Sequence, residues 1–147
     1  MSATQVPLIE QSAQKTRMWI GDLAGELGRP QDLDYAFRVL RSFLHTWRDR
    51  LPVEEAAHLA AQLPEFLRGV YYEGWRPART PLGYHDLETF LDVLARDGRL
   101  AGETEAAYAA EAAARVARRH LGAGELDKIE AVLPAGIAHV LAQKGSG

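Results

Sequence analysis

RDRLPVEEAAHLAAQLPEFLRGVYYEGW, residues 48–75, decides the fold. Two leucine-proline joints punctuate it, Leu51-Pro52 and Leu63-Pro64, and each is followed by apolar residues at helical spacing. Proline suits the first turn of a helix because it lacks the amide hydrogen that would stay unpaired there. Each joint therefore reads as one helix ending and another beginning. A weaker copy of the layout, HLGAGELDKIEAVLPAGIAHVL, spans residues 120–141.

Upstream of this stretch, residues 31–50 lead into Leu51 and set Leu33, Phe37, Leu40, Leu44, Trp47 and Leu51 three and four apart, with Tyr35, Ala36, Val39 and Phe43 widening the stripe. Asp32 and Asp34 near its start, and Arg48 and Arg50 near its end, suit the helix dipole. Before it, residues 8–27 place Ile9, Ala13, Met18, Trp19, Leu23 and Leu27 near one stripe that Gly28 and Pro30 close. Downstream, EGWRPARTPLGY (73–84) holds Gly74, Pro77, Pro81 and Gly83 without a helical period and reads as a linker. Helical spacing resumes at His85 with Leu87, Phe90, Leu91 and Leu94. An alanine-rich helix over 103–120, a short one over 124–133 and a last one over 134–143 follow. No stretch alternates with period two long enough to ask for a strand. The expectation is an all-α bundle of about eight helices.

Superposing the two halves aligns Leu51 with Leu121, Leu59 with Ile129, Leu63 with Leu133 and Pro64 with Pro134, a constant offset of 70 positions. Trp19 and Leu23 match Phe90 and Leu94 at 71. This predicts one helical domain over 1–147 made of two similar four-helix units in tandem, about 6–75 and 85–143, with the linker at about 73–84. The run LRSFLHTWRDRLPVEEAAHLAAQLPEFLRGVYYEGW resembles the signature of a bacterial family, domain of unknown function 2267, in which an LRDRLP-like corner precedes AAQLP and a YYEGW-like end. The resemblance implies a compact helical protein of two similar units and brings no activity, cofactor or catalytic residue with it.

Composition narrows the function classes. The chain has 147 residues, 47% apolar and 25% charged, the balance of a soluble globular domain. A net charge of -3 provides no global field to recruit nucleic acid or anionic lipid. Arg115, Arg118 and Arg119 form a small basic cluster that the end of a helix explains. The absence of cysteine removes disulfides, thiolate zinc sites and thiol catalysis, and fits a reducing cytoplasm. The N-terminal MSATQVPLIEQ lacks the basic start and apolar core of a signal peptide, and no apolar run approaches the roughly 20 residues of a membrane span.

The two halves differ in bulk. Val39, Leu40, Phe43, Leu44 and Trp47 correspond to Ala109, Ala110, Ala113, Ala114 and Ala117. At about 1.5–3 kcal/mol for each large side chain buried, the second half forgoes on the order of 10 kcal/mol. Close packing of a neighbouring helix against the alanine face is one account. The other is an alanine-lined groove for a partner helix or a small apolar ligand.

Candidate chemistry is sparse. Glu55 and His58 have the Glu-x-x-His spacing of carboxylate-bridged di-iron bundles, but no other histidine has glutamate three residues before it, so no metal is expected. His45, His85, His120 and His139 lack ligand spacing and read as surface or helix-end residues. Ser12 and Ser42 lie in helices without a nucleophile elbow, and Glu54, Glu55 and Glu65 are explained as first-turn carboxylates. The densest aromatic cluster, Tyr71, Tyr72, Trp75 and Arg76, reads either as a roof over the junction of the two units or as a recognition patch, since Tyr, Trp and Arg dominate binding hot spots. The functional expectation is a non-catalytic interaction or regulatory module without cofactor, binding another protein or itself through this patch, the alanine face, or both. The alternative is an apolar ligand held between the helical units.

Overall fold

The computed structural model describes residues 5–141. Among them are eight α-helices and no strand: α1 Pro7–Glu26, α2 Leu33–Arg48, α3 Val53–Ala61, α4 Glu65–Tyr72, α5 Leu87–Gly98, α6 Glu103–Leu121, α7 Ala123–Val132 and α8 Ala135–Leu141, with a single 3-10 turn, Pro77–Arg79, in the linker. The all-α expectation holds, helix by helix. Residues 142–143, expected at the end of the last helix, lie outside the described residues.

The proline corners fall one residue earlier than the first helical turn. Pro52 and Pro64 are extended N-caps whose carbonyls accept from Ala56 N and Arg68 N at 2.9 Å, and the Pro134 carbonyl accepts from Ala138 N at 2.9 Å. Their fixed φ aims the chain into the helix without a side-chain cap. Where the second half has Leu121-Gly122 in place of a proline corner, Gly122 turns the chain with φ 87°, a left-handed value that suits glycine.

Helices α1, α2, α5 and α6 form the centre: α1 packs on α2 and α6, α5 packs on α2 and α6, and α2 touches α6. Helix α4 lies against α1 and α2, and α3 against α4; α8 lies against α5 and α6, and α7 against α6 and α8. The crossing of α2 and α5 is close at Gly98, where an added Cβ would stand 3.3 Å from Ser42 Cβ. Ser42 Oγ donates to Leu94 O there at 2.9 Å, and Arg38 Nε donates to Gly98 O at 2.8 Å.

The stripe expected on α1 is shifted. Ile9 and Met18 are exposed, while Ser12 and Thr16 join Trp19, Leu23 and Ala24 on the buried side. Both polar residues are satisfied where they lie. Thr16 Oγ1 donates to Ser12 O at 2.8 Å, and Ser12 Oγ accepts from Phe66 N at 2.8 Å. Ser12 thus supplies α4 with the N-terminal cap that Pro64 cannot.

Candidate functional site

Three places among the described residues bear on function. The first is the alanine face. Ala109, Ala110, Ala113, Ala114 and Ala117 are at most 1% exposed and belong to the continuous core with Trp19, Phe43, Trp47 and Phe90. Helix α6 is covered by α1, α2, α5, α7 and α8. The groove offered as one reading of these alanines is therefore filled: small side chains let the neighbouring helices come close enough to cover the face.

The second place is the aromatic cluster. Tyr71 is fully buried, and its hydroxyl donates to Ala56 O at 2.8 Å. Burial raises its pKa, so it stays a neutral donor. Tyr71 therefore belongs to the core and is withdrawn as a partner-binding residue. Tyr72 and Trp75 are half-buried with ring centroids 5.2 Å apart, and Arg76 is exposed. The cluster roofs the start of the linker, leaving only an edge to solvent.

Two arginines hold that linker. Arg48 and Arg50, expected to complement the helix dipole, are each 4% exposed. Arg48 Nη1 donates to Tyr71 O at 2.6 Å and Glu73 O at 2.7 Å, while its Nε pairs with Asp49 Oδ1 at 2.8 Å. Carbonyls left over at the end of α4 are thereby satisfied by a cation. Arg50 Nη1 donates to Leu82 O, its guanidinium lies 5.1 Å from the Tyr84 ring centroid, and Leu82 N donates to Asp49 O at 2.8 Å. Burial pushes Tyr84 up to about 12.

The third place was not singled out by the sequence. Between α1, α2 and α4 lies a hollow of about 310 Å³ lined by Arg17, Ile20, Leu33, Asp34, Phe37 and Phe66. Leu33 is 51% and Phe66 55% exposed. Ser12 fixes Phe66 here through its hydrogen bond to the Phe66 amide. Arg17 and Asp34 stand at the rim, and neither side chain forms an ion pair or hydrogen bond among the described residues.

The model of a family described as an uncharacterized conserved protein (DUF2267) matches residues 16–140. The chain belongs to the DUF2267 family. Curated proteins give no match. In this DUF2267 protein the match takes in all three places, from Arg17 of the groove to the alanine helix.

Of the remaining histidine and arginine candidates in the DUF2267 chain, His58, His45, His120 and the basic cluster have structural partners. His58 Nε2 lies 3.3 Å from Glu125 Oε2, so it faces α7 and not a second Glu-x-x-His. No group of three His, Asp or Glu among the described residues is placed to hold a metal ion. His45 and His120 lie in the last turns of α2 and α6, as helix-end residues, and are largely buried there. His45 Nε2 meets Val70 O at 2.6 Å; His120 stacks on Trp19 with centroids 4.8 Å apart and meets Asp22 Oδ2 at 2.8 Å. Arg115 and Arg119 pair with Glu26, and Arg118 with Asp127 and Glu130, so the basic cluster is largely neutralised by carboxylates. No helix among the described residues is long and apolar enough to cross a membrane.

Proposed function

We propose that this DUF2267 protein is a non-catalytic helical interaction module, built from a duplicated four-helix unit, that binds a partner protein through the groove between α1, α2 and α4. Its cysteine-free composition suits the cytoplasm. The observation that carries the reading is the exposure of Leu33 and Phe66, each more than half open on one apolar hollow. Water against such a patch is costly, and a covering side chain would remove about 25 cal/mol for each Å² withdrawn. Duplication is supported by the packing: α1 on α2 has its counterpart in α5 on α6, α2 on α4 in α6 on α8, α1 on α4 in α5 on α8, and α3 on α4 in α7 on α8.

The groove is better suited to a partner than the Tyr72, Trp75 and Arg76 edge, whose rings are already spent on each other and on the core. An apolar ligand between the units has less to recommend it. The cleft where α1 and the α3–α4 turn approach His120 holds about 430 Å³, but Lys15, Gln62, Glu65 and Arg68 share its lining with Met18 and Trp19. The test is capture of binding partners by the full chain and by Phe66→Asp, with helical content checked by circular dichroism. Binding is expected to be lost in the variant while the fold is kept. Binding unchanged by Phe66→Asp would mean that the groove is not the surface used.

A further inference from the structure

Resting on the groove as the binding surface, we infer that its occupant is a second copy of this chain, related by a two-fold axis that passes through the hollow. The rim supplies the reason. Arg17 on α1 and Asp34 on α2 bring one charge of each sign to the same apolar opening, and both side chains are without a partner among the described residues. An isologous interface matches a patch with itself, so each group must find its complement on the same patch. In the pairing inferred here Arg17 meets the partner's Asp34 and Asp34 meets the partner's Arg17. Leu33 and Phe66, the exposed apolar members of the lining, are then covered by the other copy. Apolar anchors at the centre with charges at the edge is the arrangement of a specific interface.

The same face also extends along α1. Ile9 and Ile20 lie eleven residues apart, three helical turns, and so on one side of the helix; Ile9 is 61% exposed. An opening in the second half lies between α5 and the start of α6, with Asp86, Glu88, Asp92 and Glu103 in its lining. Asp92 is paired with Arg96 at 3.1 Å, and the carboxylates that remain repel a second such set, so pairing of the acidic opening with itself is disfavoured. Self-pairing is thus directed to the first half of each chain.

The experiment is sedimentation equilibrium of the full chain over a wide concentration range, with matched variants. The wild-type chain is expected to form a dimer that dissociates on dilution. Leu33→Asp and Phe66→Asp should each weaken it roughly 30-fold or more, as loss of an interface anchor does. Arg17→Asp and Asp34→Arg should each weaken it about tenfold, and the double exchange should restore it, because the rim pairs are then rebuilt with signs reversed. A chain that stays monomeric at every concentration overturns the inference, as does a dimer indifferent to Leu33→Asp or one that the double exchange fails to rescue. A monomer whose capture of a different, identified protein is lost with Phe66→Asp removes the second copy as occupant while leaving the groove as the binding surface.

Discussion

Helix α2 meets the core with Phe43, Leu44 and Trp47, and α6 meets it with Ala113, Ala114 and Ala117, each 70 positions further along the chain; all six are at most 1% exposed. Bulk and closeness are two solutions to one packing problem. A helix with large side chains fills the space around it, and a helix with methyl groups lets its neighbours occupy that space instead. The contrast is broken most directly at Trp47. Trp47→Ala should cost about 3–5 kcal/mol, because the neighbours of α2 are already held apart by large side chains and cannot collapse into the cavity. Chemical denaturation with an unchanged m-value measures it. A loss below about 1 kcal/mol would show that the surroundings of α2 close up as those of α6 do.

The ends of the two helices differ in the same spirit. Arg48 on α2 is sealed in and donates to backbone carbonyls of Tyr71 and Glu73, whereas Arg119 on α6 is about half exposed, with a side-chain exposure of 51%, and pairs with Glu26 at 3.0 Å. Arg48→Met leaves two carbonyls and Asp49 without their donor and should cost about 3 kcal/mol. Arg119→Ala removes a solvated pair and should cost under about 1 kcal/mol. Amide exchange adds a local reading: in Arg48→Met the amides of residues 73–84 should exchange faster, while the Arg119→Ala pattern stays close to wild type.

Ala113→Leu probes the other side of the contrast. Extra methylenes on a face already in contact with its neighbours should cost about 1–3 kcal/mol. Stabilisation instead would mean that unfilled space remains beside α6, and the groove reading of the alanines would return. Periodicity and the Leu-Pro corners made the eight helices legible, because period and proline act within one turn of themselves. Long-range partners left no such mark. Ser12 and Thr16 look like solvent residues until Phe66, far along the chain, donates to Ser12 Oγ. Arg48 and Arg50 read as dipole complements because the carbonyls they serve belong to Tyr71, Glu73 and Leu82. The groove was hidden inside the core stripe of α2. Its only signal was surplus width: an apolar arc broader than the roughly 100° that a surface helix needs leaves some members uncovered, here Leu33 in the first turn and Phe37 beside it.

The smallest effect concerns the two histidines near the ends of these helices. His120 on α6 meets a carboxylate, Asp22, whereas His45 on α2 donates from Nε2 to the Val70 carbonyl. Burial lowers the His45 pKa below its ordinary value of 6.5; Arg48 and Arg41 push the same way, and the Val70 carbonyl and Glu73 oppose them. The folded chain therefore keeps His45 neutral at a pH where the unfolded chain has already protonated it. Since the unfolded state binds more protons in that interval, stability must fall as pH drops from about 6.5 toward the lowered folded-state value, and it is fully present above 6.5. Melting temperature followed from pH 8 to pH 5 should show this decline, and His45→Gln should be less steep over the same interval, although less stable at pH 8 where the wild-type hydrogen bond is intact. Equal slopes in the two proteins would assign the acid sensitivity to other groups and make the burial of His45 against α4 electrostatically inert.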